Sequence, residues 1–151
     1  MDQKIKEELG QSATEVFSTM YFLSVQLLAD LPSKENWDLD MSYIAAKIDY
    51  SGPLSATIRF FFPDRLVRNT VEGFLGIEAD EISQRQASDT MKEAANMVVG
   101  SFLGKVDPDG SCKLGIPTTE YVTDFSPEGL GADAEVMVFT SEFGHIWLTY
   151  K

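Results

Sequence analysis

Asp89, Glu93 and Asn96 are spaced by four and three residues. At about 100° per residue on a helix, Glu93 falls about 40° round from Asp89, and Asn96 about 20° on the other side. The three polar side chains therefore share one ridge. Gly100 continues that ridge one turn further on, where the missing side chain would let another backbone approach, at some cost to helix stability. These residue types suit chemistry done by positioning. A carboxylate offers a full charge and two acceptor oxygens to a cation. A carboxamide donates and accepts hydrogen bonds at once, so it can fix both the place and the orientation of a water molecule. A Glu-x-x-Asn face is also an ordinary solvated helix surface, since Glu is a good helix former. The spacing alone leaves both readings open.

Other catalytic groups are scarce. His145 is the only histidine and sits beside Ile146 and Trp147 near the end of the chain. No Ser, Cys or carboxylate partner can be assigned to it, so it is expected to be structural. Cys112 is the only cysteine. It excludes an intrachain disulfide, suits a reducing cytoplasm and has no metal-ligand spacing around it; a small buried residue is expected. No phosphate loop or dinucleotide fingerprint is present. Trp37 and Trp147 are expected in the core or at an interface.

The bulk numbers narrow the class. A chain of 151 residues, 44% hydrophobic and 24% charged, fits a single folded domain spanning 1–151. The net charge of −12 disfavours nucleic acid and anionic membrane as partners, because both would repel it. It favours solubility and would help steer a basic partner. No signal peptide is evident. The stretch Val16 to Ala29 is interrupted by Ser18, Thr19, Ser24 and Gln26, too short and too polar for a membrane span. A cytoplasmic protein is expected.

The elements that must position the ridge follow from periodicity. A long amphipathic helix is predicted from about Lys4 to Ala29, with Val16, Met20, Leu23 and Leu27 as its core stripe. Pro32 and the polar run after it close the segment. Tyr43 to Tyr50 and Leu54 to Phe62 read as strands joined by a hairpin at Ser51-Gly52-Pro53. Pro63 and Asp64 open a second helix with Leu66, Val67, Val71, Phe74 and Leu75 on its apolar side. A third helix, from about Ser83 to Gly104, buries Ala87, Met91, Ala94, Val98 and Phe102, which leaves the Asp89 ridge outward. Asp107-Pro108-Asp109-Gly110 is a turn. A strand from about Cys112 to Ile116 ends at Pro117 or lies at an edge. Residues 118–132 read as irregular, and Glu135 to Ser141 and His145 to Tyr150 as a terminal hairpin. The order implies an α+β domain, an antiparallel β-sheet with long amphipathic helices packed on it.

The run from Asp89 to Gly100, with twenty residues between Asn96 and a following Pro117, resembles the motif of the CheC/CheX-type chemotaxis phosphatases. That family carries Asp or Ser, three residues, Glu, two residues, Asn, and a Pro about twenty residues on. The resemblance implies the CheC/CheX-like fold and hydrolysis of the phosphoaspartate on a CheY-like response-regulator receiver. It implies catalytic roles for Glu93, as the charge that docks on the receiver's Lys, and for Asn96, as the amide that places the attacking water. Asp89, Gly100 and Pro117 would support them. No cofactor is implied on this chain; Mg2+ is expected on the receiver. Some members carry the motif on both long helices. Here Glu15 matches, but Ser18 replaces the Asn and Gln11 replaces the acidic or Ser position, so one site per protomer is expected, as in CheX-like members. Relatives that pair through their sheets imply a homodimer. Two other functions remain: a non-catalytic receiver-binding or flagellar-switch-like docking module, and a purely structural domain with a solvated helix face.

Overall fold

Asp2 starts the first helix, its side chain accepting from the Lys4 backbone N–H at 2.8 Å. The computed structural model of the chain describes residues 2–151. Helix α1 runs Gln3–Tyr21 and buries Leu9, Ala13, Val16, Phe17 and Tyr21. It stops well short of Ala29. Phe22 takes a left-handed backbone (φ 54°), and the Leu23 N–H donates to the Phe17 carbonyl at 3.0 Å, a helix-ending pattern. Beyond it, Leu23 and Val25 are buried while Ser24 and Gln26 are exposed, the period-two pattern of an extended chain. Gln26–Leu27 becomes strand β1. Met20 is exposed rather than part of the core stripe.

Strands β2 (Tyr43–Ser51) and β3 (Ala56–Pro63) pair antiparallel in one hairpin. Pro63 ends β3 and caps α2 (Asp64–Leu75), which stops at Gly76 (φ 68°), a conformation that suits glycine. Leu66, Val67 and Val71 of α2 are buried, but Phe74 and Leu75 are exposed, against expectation.

Helix α3 (Gln84–Val106) opens with a capping box. The Ser83 hydroxyl accepts from the Gln86 N–H at 3.1 Å, and the Gln86 side chain accepts from the Ser83 N–H at 2.9 Å. All five predicted core residues are buried. The helix lies along β2 and α1.

The segment after α3 differs most from the sequence reading. The strand expected over 112–116 is only β4 (Lys113–Leu114), and the stretch expected to be irregular contains strand β5 (Thr118–Val122). Both pair with β2: Leu114 faces Tyr50, and Thr118 faces Lys47. Leu114 to Thr118 is one residue longer than the segment of β2 it spans, so a β-bulge containing Gly115, Ile116 and Pro117 separates the two pieces. The Gly115 N–H donates to the Asp49 carbonyl at 2.7 Å, and a Cβ there would come within 2.9 Å of that oxygen. Cys112 is half-buried rather than buried, its Sγ 3.6 Å from the Leu54 carbonyl.

Strands β6 (Glu135–Thr140) and β7 (Ile146–Tyr150) form the terminal hairpin. The antiparallel sheet runs β1-β6-β7-β3-β2, with β4 and β5 sharing the far side of β2. The helices cover one face over Ile44, Ile48, Ile58, Phe60, Phe62 and Leu148. On the other face Phe125 seals a second cluster, 4.3 Å from Tyr43 and 4.8 Å from Phe61 between ring centroids. Trp147 is buried there with Trp37 edge-on at 6.1 Å. His145 Nδ1 lies 3.8 Å from Asp38 Oδ2, a contact that ties a loop to the sheet.

Candidate active site on the third helix

Nine buried residues press α3 into the sheet and against α1, which turns the opposite side of the helix outward. Asp89 and Glu93 are exposed and Asn96 is half-buried. Asp89 Oδ2 is 3.8 Å from Arg85 Nε, an exposed pair one turn apart that contributes little to stability. Among the described residues, Glu93 and the Asn96 carboxamide make no side-chain hydrogen bond or ion pair. Both keep their full capacity for a partner.

Asn96 opens on a groove between the two long helices, about 510 Å3 in volume. Met97, Gly100 and Ser101 of α3 line it with Glu15, Thr19 and Met20 of α1, and Leu114 of β4 lies below. The helices run antiparallel, since Lys105 reaches Glu15 while Tyr21 reaches Met97. Gly100 leaves real space. A Cβ there would find only Leu114 Cδ2, at an ordinary 3.8 Å, so no crowding within the chain demands glycine.

The five sequence-predicted residues are not all brought together. Asn96 and Gly100 border the groove, and Glu93 and Asp89 extend the ridge by successive turns. Pro117 does not line the groove. It sits half-buried in the β4–β5 bulge, three residues beyond Leu114, and bears on the site only through that strand.

On α1, Glu15 differs from Glu93 in a way its residue type does not reveal. Glu15 Oε2 accepts from Lys105 Nζ at 3.2 Å. Its charge is answered within the chain, whereas Glu93 has no ion-pair partner among the described residues.

Helical spacing on α3 does not single out Tyr21, which lies on another element. Its hydroxyl points to Met97 Sδ at 3.9 Å, and its pKa is pushed up to about 12 by burial and, second, by the charge of Glu93. The hydroxyl thus stays neutral beside the ridge at any physiological pH. Only its place near the end of α1, one turn from Phe17, could have suggested it. Among the described residues, no group of three or more His, Cys, Asp or Glu gathers to hold a metal, and no helix is long and apolar enough to cross a membrane.

Comparison with known proteins adds three observations. The sequence model of the chemotaxis phosphatase CheX family matches residues 44–140, which include α3 and Pro117. A search of curated proteins finds no match. Solved structures share the fold over nearly the whole chain. The chemotaxis protein CheX from Vibrio vulnificus is 16% identical, with a TM-score of 0.78 over 97% of this chain and 95% of that one. A CheC-like superfamily protein from Shewanella sp. PV-4 is 18% identical, with a TM-score of 0.75 over 100% and 99%. The CheX–CheY–BeF3–Mg2+ complex from Borrelia burgdorferi matches at 12% identity, with a TM-score of 0.71 over 97% and 96%.

Proposed function

The chain belongs to the chemotaxis phosphatase CheX family, and we propose that it hydrolyses the phosphoaspartate of a CheY-like receiver through Glu93 and Asn96. The observation that carries this reading is the pair of unpartnered polar side chains on one outward ridge, with the amide opening on a groove.

Phosphoryl transfer depends on positioning and charge stabilisation more than on covalent work by the protein. The receiver brings its own acyl phosphate, lysine and Mg2+; the CheX–CheY complex of Borrelia burgdorferi, with its BeF3 and Mg2+, supports such a partner. Glu93 pairs with the receiver's ammonium group and sets the register. The Asn96 carboxamide holds a water in line with the phosphorus. The water oxygen bonds to phosphorus, the bond to the aspartyl oxygen breaks, and both of the water's protons leave with the released phosphate. The aspartate leaves as a carboxylate. Asp89 steadies the ridge, Gly100 admits the receiver's backbone, and Pro117 holds the bulge behind Leu114. The same reading takes 1–151 as one domain and one site per protomer, in a cytoplasmic homodimer.

The test is loss of phosphate from a labelled receiver with Mg2+, comparing the parent with Asn96→Ala and Glu93→Ala. Asn96→Ala should fold normally, since its amide makes no hydrogen bond among the described residues, and slow dephosphorylation by about 10²-fold or more. Glu93→Ala should chiefly weaken binding. A rate indifferent to Asn96→Ala would remove the mechanism. A protein that binds the receiver without shortening its phosphate lifetime would be a docking module instead.

A further inference from the structure

Helix α1 ends in an aromatic residue that packing does not explain. Phe22 holds a left-handed backbone (φ 54°), which side chains disfavour, and it is 92% exposed. Glycine would make the same helix end without strain and without exposed apolar surface. Nearby, Met20 is 39% exposed and Phe74 50%. With Asn69, Glu72 and Gly73 these residues line a recess of about 560 Å3 between α1 and α2. Single exposed apolar side chains are ordinary, but three meeting at one recess make a contiguous apolar patch, the kind of surface that partners cover. Tyr21 forms its floor, with its ring 5.4 Å from Phe74 and 5.7 Å from Phe17.

The recess adjoins the groove at Asn96, since Met20 lines both. A body large enough to place a phosphoryl group at Asn96 comes up beside Met20, next to the recess. The ridge offers acidic groups at Asp89 and Glu93, and the recess offers apolar area. Together they suit a partner with a cation at its phosphate site and an apolar side next to it. We propose that Phe22, Met20 and Phe74 form a docking patch for the phosphorylated receiver, with Phe22 as the anchor that enters the partner. This rests on the phosphatase reading and adds to it the surface that sets affinity. The strain at Phe22 is then tolerated for its exposure.

Phe22→Gly separates docking from folding. It should unfold at the same temperature as the parent or higher. It should bind a beryllofluoride-activated, Mg2+-loaded receiver roughly tenfold more weakly, as expected for the loss of one buried aromatic contact. For the phosphorylated receiver as substrate, KM should rise in proportion and kcat should stay unchanged. Equal affinity for parent and variant would overturn the patch and leave the phosphatase reading intact. A parent that binds no receiver would overturn both. If Phe22→Gly instead converts a dimer to a monomer in sedimentation, the patch belongs to a second copy of this chain, and the proposal falls.

Discussion

Glu93 and Glu15 occupy similar places on two antiparallel helices, and what separates them is a neighbour. Glu15 has Lys105 within 3.2 Å; Glu93 has no partner among the described residues, only the buried Tyr21 hydroxyl close enough to feel its charge. The positions of Asp89, Glu93, Asn96 and Gly100 were legible in the sequence because helical spacing alone puts them on one ridge. The pairing of Glu15 was not, because Lys105 lies on another helix, far along the chain. Gly100 offers the most direct test of how that ridge is used. Alanine fits there, with its Cβ in ordinary contact with Leu114. In urea denaturation, Gly100→Ala should be more stable by about 0.5–1 kcal/mol. If the receiver's backbone needs the space, the same variant should dephosphorylate it more slowly at low receiver concentration. A variant both more stable and fully active would show that the gap serves no partner.

At the scale of elements, α3 was legible almost to its ends. Its capping box, unbroken apolar stripe and following Asp-Pro-Asp-Gly turn all agree. The end of α1 was not, because a left-handed helix end is usually announced by glycine and here falls on Phe22. Leu23 and Leu27 fit a helical stripe and a period-two strand equally well, and burial of Val25 selects the strand. Strand β5 is not legible in the sequence because it is short and largely polar and its partner β2 lies far back in the chain. It forms the outer edge of the sheet opposite β1, with one side paired to β2. Such an edge invites a second strand. Sedimentation equilibrium should therefore return about twice the chain mass of 16.8 kDa. A single species at the chain mass across concentrations would leave β5 as a bare edge and end the homodimer reading.

The whole molecule combines an acidic surface with a core that holds tyrosine hydroxyls. Burial raises the pKa of Tyr21 to about 12, and that of Tyr43 and Tyr50 further. The charge of Asp38 adds to the effect at Tyr43, and the Tyr150 hydroxyl, 2.6 Å away, adds to it at Tyr50. Each group binds its proton more tightly folded than unfolded. Their contribution to stability is complete below the ordinary tyrosine value of about 10 and is lost as pH rises through the folded values. From neutral pH, thermal melts should be level up to about pH 10 and then fall, and Tyr21→Phe should soften the first part of that fall. Melts that stay level to about pH 12 would contradict this assignment. The bulge at Gly115, Ile116 and Pro117 constrains the same architecture differently. Leu114 and Tyr121 are an odd number of residues apart, while their partners Tyr50 and Ile44 are an even number apart. An uninterrupted strand could turn only one of them toward the helices. The supernumerary residue shifts the phase, so Leu114 lies beneath the groove while the Tyr121 hydroxyl lies 3.4 Å from the Gln84 carbonyl at the start of α3. Evolution can therefore vary the exposed Ile116 in kind more freely than it can vary the number of residues there.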